Sequence, residues 1–68
     1  MKSVSGKELC KILEKKGWNL LRIQGSHHIY GKEGKEEIIV VPVHGNKDLK
    51  KGLLRKIMRI TEISEDEL

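Results

Sequence analysis

The stretch of this sequence richest in chemistry is Gly25-Ser26-His27-His28. Two imidazoles follow directly on a turn signal. Histidine is the side chain whose unperturbed pKa, about 6.5, lets it give or take a proton near neutral pH. The surrounding chain is 68 residues long and carries a formal net charge of +4. A histidine on a turn in a small basic protein points to chemistry on, or binding to, a polyanion.

The elements that must position these residues are readable from the pattern. Ser5-Gly6-Lys7-Glu8 has the form of a capping box, with Ser5 as the cap and Glu8 reaching back to its amide. Leu9, Ile12 and Leu13 then fall on one helical face, with Cys10 off its centre. Gly17 stops the helix where the chain must turn left-handed, and Trp18 folds back onto the helix end. Asn19-Leu20-Leu21-Arg22-Ile23-Gln24 alternates from Leu21 as a half-buried strand does. Gly25-Ser26 turns the chain into a second strand, His27 to Tyr30. Lys32-Glu33-Gly34-Lys35 is a second turn, and Glu37 to Val43 is the most strongly β segment. Pro42 ends the pairing or marks an edge. After the loop His44 to Lys47, Asp48 is the expected cap of a second helix running to about Ile60. Gly52 in that helix either allows close packing or marks a later start. The order is α-β-β-β-α, an α+β fold: one domain over residues 1–68, with a three-stranded antiparallel sheet and both helices on one face.

Composition narrows the class. A lone cysteine, Cys10, rules out an intrachain disulfide and a four-cysteine zinc site. No apolar run approaches the ~20 residues of a membrane span, and the first residues lack the apolar core of a signal peptide. A reducing, cytoplasmic compartment and no membrane partner are therefore expected. All the lysines and arginines precede Ile60, whereas Glu62, Glu65, Asp66 and Glu67 crowd the end. The body is thus more basic than the whole, which favours nucleic acid as a partner. Lys50, Lys51, Arg55, Lys56 and Arg59 follow one another on the second helix with no acidic residue between them.

Strand geometry bears on the two histidines. Successive side chains point to opposite faces, so His27 goes with Ile29 and His28 with Tyr30. Both Ile29 and Tyr30 are plausible core residues, and alternation alone does not choose which imidazole faces out. Cys10 with His27, His28 and His44 makes a poor metal site, because adjacent strand histidines diverge. No metal or cofactor is expected.

Taken together, several landmarks resemble the HicA (YcfA-type) mRNA interferase toxins over residues 3–60. They are Gly17-Trp18 after a short amphipathic helix, Gly25-Ser26-His27-His28, a β-branched strand ending in Pro42, and Asp48-Leu49-Lys50-Lys51-Gly52 opening a basic helix. The resemblance implies a fold similar to a double-stranded RNA-binding domain. It implies ribosome-independent RNA cleavage that depends on one histidine, which falls on His27. It also implies an antitoxin of the HicB type that covers the site and carries its own DNA-binding segment. His28 matches a second, less essential histidine.

RNA carries its own nucleophile, the 2′-hydroxyl, so such a nuclease needs a base, an acid and positive charge near the phosphate, and no metal in principle. His27 can serve as base or acid. Gly25 permits the turn and a close approach of backbone. Ser26 either donates to a phosphate oxygen or braces the turn, and His28 is an accessory or structural neighbour. Lys47, Lys50, Lys51 and Arg55 are the expected phosphate holders, with Arg22 extending the patch. The expected function is a monomeric toxin that cuts mRNA and leaves 2′,3′-cyclic phosphate ends. The alternatives are a non-catalytic RNA-binding module and a partner-docking protein of the same fold.

Overall fold

Ser5 opens the first helix as its sequence implies. A computed structural model describes residues 2–68. In it α1 spans Gly6–Lys15. The Glu8 amide donates to Ser5 Oγ at 3.2 Å and the Ser5 amide donates to Glu8 Oε1 at 3.0 Å. These reciprocal bonds hold the Glu8 carboxyl below the ordinary glutamate range. The other end closes as tightly. Gly17 takes φ +92°, the Trp18 amide donates to the Leu13 carbonyl and the Gly17 amide to the Glu14 carbonyl. This pair of bonds satisfies carbonyls the helix leaves open, and it delivers Trp18 into the core.

The chain then forms an antiparallel meander in the order β1-β2-β3, with β1 at Asn19–Gln24, β2 at His27–Gly31 and β3 at Ile39–Pro42. Only Gly25 of the two turn residues has positive φ, at 60°. That is the pattern of a two-residue hairpin with glycine first, whose twist matches the strands it joins. A Cβ on Gly25 would meet nothing within 4 Å, so the requirement there is conformational.

The second helix, α2, spans Lys51–Thr61 and so begins three residues after the expected cap. Asp48 is instead bridged to Ser5, and the Leu49 amide donates to the Val4 carbonyl at 2.8 Å. That pairing keeps residues 48–49 extended, and Lys50 becomes the N-cap without a side-chain bond. Gly52 therefore sits in the first turn, and a Cβ there would touch nothing. Its packing is not what the fold needs. The strand β3 is also shorter than Glu37 to Val43, because Glu37 and Ile38 lie outside the ladder.

Both helices cover one face of the sheet. Tyr30, Ile39 and Val41 from that face join Leu9, Cys10, Leu13, Trp18, Leu54 and Ile57 in the buried cluster. Cys10 belongs to this core, and burial pushes its thiol up. The strand β1 departs from expectation, since every one of its residues is exposed. Its inner-face residues, Leu20 and Ile23, lie at the sheet's outer edge beyond the helices' cover. A bulge between Leu20 and Arg22 leaves Leu21 without a partner in the ladder.

The acidic end folds back onto the body. Ile63 is buried, Leu68 packs against the core, Glu67 pairs with Lys16, and Lys2 Nζ donates to the Leu68 carbonyl at 3.1 Å. The α2 helix ends with Glu62 at φ 59°, and the Ile63 amide donates to the Met58 carbonyl. A left-handed Glu62 thus turns the chain so that Ile63 can enter the core.

Two outcomes follow. Gly25→Ala forces an L side chain into the left-handed region, at a cost of roughly 1–2 kcal/mol, read as a lower urea midpoint with the fold retained. Tyr30 is held well above the ordinary tyrosine pKa, first by burial and then by its bond to Glu14. Its protonated phenol therefore adds stability that is complete below the unfolded value of ~10 and is lost as pH rises towards the folded value. Urea melts of the wild type should weaken above pH ~10, and Tyr30→Phe should flatten that fall.

Candidate functional site

The facing of the histidines is decided by Tyr30. Its Oη donates to Glu14 Oε2 at 2.6 Å, and only 1% of the residue is exposed. It lies under α1, so His28 shares its face and looks towards the helices, half-buried between Ile23 and Val41. His27 points to the opposite, open face and is exposed. Ile29 is also buried, at 4%, but stands outside the helix-covered core. It is enclosed on the open face, where its cross-strand neighbours are Arg22 and Val40. Both residues flanking the ambiguity are buried, one on each face.

Residues directly opposite in an antiparallel pair share a face. The row through His27 is therefore Gln24, His27 and Pro42, and the next row is Arg22, Ile29 and Val40. Arg22 stands diagonally from His27, about 7–8 Å away by sheet geometry. Gln24 stands directly beside it. Nothing in the composition marks Gln24, but a two-residue turn makes the residue before it the partner of the residue after it.

The basic residues divide. Arg22, Lys47, Lys50, Lys51 and Arg55 are all exposed, and none is in an ion pair among the described residues. However, α2 packs on the face of the sheet away from His27. Its basic row approaches the histidine only at its N-terminal end, around the edge at Pro42. There Lys47 and Lys50 line a cleft of about 250 Å³ with Pro42 and His44. The Val43 amide donates to the Ser26 carbonyl at 2.7 Å, tying the wall of this cleft to the turn. Ser26 thus braces the loop through its main chain. Lys51 starts the helix beyond the cleft, and Arg55 lies one helical turn further on.

The turn itself is held from below. A Cβ on Gly6 would be driven into the Pro42 carbonyl oxygen, so the start of α1 presses directly on the strand end that faces His27. Cys10 lies in the core and His44 at the cleft. Among the described residues no three His, Cys, Asp or Glu side chains are grouped to hold a metal ion. None of the described helices is long and apolar enough to cross a membrane.

The open face also carries apolar surface. Leu21, Ile38 and Val40 are 52%, 52% and 43% exposed. Leu21 and Ile38 converge over Gly31, whose missing side chain leaves room for both. An imidazole, a glutamine and an arginine beside an apolar patch, bordered by lysines, can bind a charged strand on one side and a protein on the other.

A comparison with curated proteins found no match. A family model described as the HicA toxin of bacterial toxin–antitoxin systems matches residues 6–63, from the start of α1 to the buried Ile63. That span takes in the hairpin, the cleft and α2, and on it the chain belongs to the HicA toxin family.

Proposed function

We propose that this toxin is a ribosome-independent endoribonuclease acting on mRNA, with His27 as the catalytic proton-transfer group. The observation that carries the reading is the facing of β2. Of the two adjacent imidazoles, His27 alone is exposed on the open face, beside Gln24 and near Arg22. His28 is turned towards the helices and serves as an accessory or structural neighbour.

The chemistry needs a base, an acid and positive charge near the phosphate, which the chain, the RNA and water supply. The 2′-oxygen attacks the adjacent phosphorus and its proton passes to a base. The P–O5′ bond breaks and the 5′-oxygen takes a proton from an acid. The products are a 2′,3′-cyclic phosphate and a 5′-hydroxyl. His27 performs one of these transfers, with water supplying the other. Preorganised positive charge stabilises the phosphoryl oxygens as charge builds on them. Lys47 and Lys50 supply it from the strand edge and Arg22 from the sheet, with Lys51 and Arg55 holding phosphates further along the chain. Gly25 permits the turn and a close approach of the RNA backbone. One positioned acid–base group contributes about 10²–10⁴-fold, which suits a slow enzyme.

Family membership brings an antitoxin partner. A partner of the HicB type is proposed to cover the open face, with Leu21, Ile38 and Val40 as its apolar contact and His27 beneath it. The free toxin acts as a monomer in the cytoplasm on this reading.

Purified protein incubated with RNA and a chelator should leave 2′,3′-cyclic phosphate ends. His27→Ala should lose at least about 100-fold in rate while its circular dichroism and melting stay those of the wild type. His28→Ala should retain most of the activity. Ends that are only 3′-hydroxyl and 5′-phosphate, or equal cleavage by His27→Ala, would refute the mechanism. RNA binding without any cleavage would favour a non-catalytic module. Val40→Glu should weaken antitoxin binding by about tenfold or more, read by calorimetry, because it buries a charge in an apolar contact.

A further inference from the structure

The cleft beside β3 holds more than lysines. Pro42 and Leu53 form apolar walls, and His44, Lys47, Asp48 and Lys50 bring polar groups to it. Its volume of about 250 Å³ lies below the roughly 300–1,000 Å³ of sites that enclose a drug-sized ligand. It suits one planar group. Pro42 is the cross-strand partner of His27, so this wall of the cleft stands one strand spacing, ~4.8 Å, from the backbone that carries the histidine. The bond from Val43 to Ser26 fixes that offset.

We propose that this cleft is a base-binding subsite, which takes the nucleobase beside the scissile phosphate and prefers guanine. The proposal rests on the ribonuclease reading for its place in catalysis. An exposed imidazole and a proline wall offer flat surfaces on which a base stacks, as single-stranded RNA does on aromatic side chains. Lys47 and Lys50 flank the opening and would take the phosphates on either side. Asp48 gives the preference its direction. Its backbone is fixed by the bridge to Ser5, and its carboxylate makes no ion pair among the described residues. A carboxylate only accepts hydrogen bonds at neutral pH. Guanine carries two adjacent donors, N1–H and N2–H, which meet both carboxylate oxygens. Cytosine and adenine each offer one amino group beside an acceptor. Uracil presents a single N–H between two carbonyls that the carboxylate repels.

Two measurements test this. Cleavage sites of the wild type are mapped on an RNA pool of random sequence. Guanine should be enriched at one position flanking the cut, Asp48→Asn should erase that enrichment, and His44→Ala should slow cleavage by roughly 5- to 150-fold, the loss of one stacked base. Independently of catalysis, guanosine 5′-monophosphate titrated into ¹⁵N-labelled wild type should shift the amides of residues 44–53 more than uridine 5′-monophosphate at equal concentration. Cleavage with no flanking preference, or a preference that survives Asp48→Asn, overturns the subsite and leaves the nuclease standing. Equal shifts from the two nucleotides also overturn it. Selective shifts from a protein that cuts no RNA would support the base site and refute the ribonuclease reading instead.

Discussion

The burial of Tyr30 is the constraint on which the open face depends. A strand has only two sides, and β2 is short. Once Tyr30 lies under α1 with its hydroxyl on Glu14, every other residue of β2 has its side assigned. The phenol finds its partner within the protein, so the ring need not seek water. Cys10 stands beside the same hydroxyl and fills the remaining volume. This arrangement turns His28 inward and His27 outward. The open face is therefore shaped by an apolar decision taken on the other side of the sheet.

The hairpin converts that decision into a site. A two-residue turn with Gly25 at positive φ sets the register of the residues beside it. Gln24 then stands beside His27 on one strand and Pro42 on the other. The contact of Gly6 with the Pro42 backbone anchors this row to the helix layer. Position on the open face thus passes from the core through α1 to the strand end. The loop from Pro42 to Lys50 hangs from that anchored end, which is why it can hold a cleft in a protein of this size.

Local signals were legible in the sequence wherever one segment decides its own conformation. Ser5 and Glu8 cap each other within four residues, and Gly17-Trp18 closes the same helix within six. The Gly25-Ser26 turn is equally self-contained. Misreadings arise where a distant segment intervenes. Asp48 has the chemistry of a cap, but pairing with Ser5 holds it extended. The alternation of β1 is broken by the bulge, which puts Leu21 on the open face and Ile23 on the inner one, and the helices do not reach far enough to cover Leu20 and Ile23. The facing of His27 could not be read from alternation, because Ile29 and Tyr30 are both buried and only the third dimension distinguishes their faces. The cleft at Pro42 joins residues from a strand, a loop and a helix, and no spacing in the sequence announces it. The acidic end was legible as charge, and its short helical turn Glu65–Glu67, capped by Ser64, is as local a signal as the others; its docking was not legible. Its apolar residues, Ile63 and Leu68, carry it back to the body.

The bulge at Leu21 bears on how this sheet meets other sheets. Beside β3, Leu53, Lys56 and Ile60 of α2 line a groove with Ile38 and Val40. β1 is the opposite edge of the sheet, and a bare strand edge is a template for pairing with another chain. An extra residue in the ladder bends and twists that edge locally. A second copy approaching edge to edge would find its hydrogen-bonding groups out of step at Leu21. The irregularity that looks like a flaw in the meander thus acts as a safeguard against fibrous self-assembly, in a protein whose exposed leucines and isoleucines would otherwise invite it.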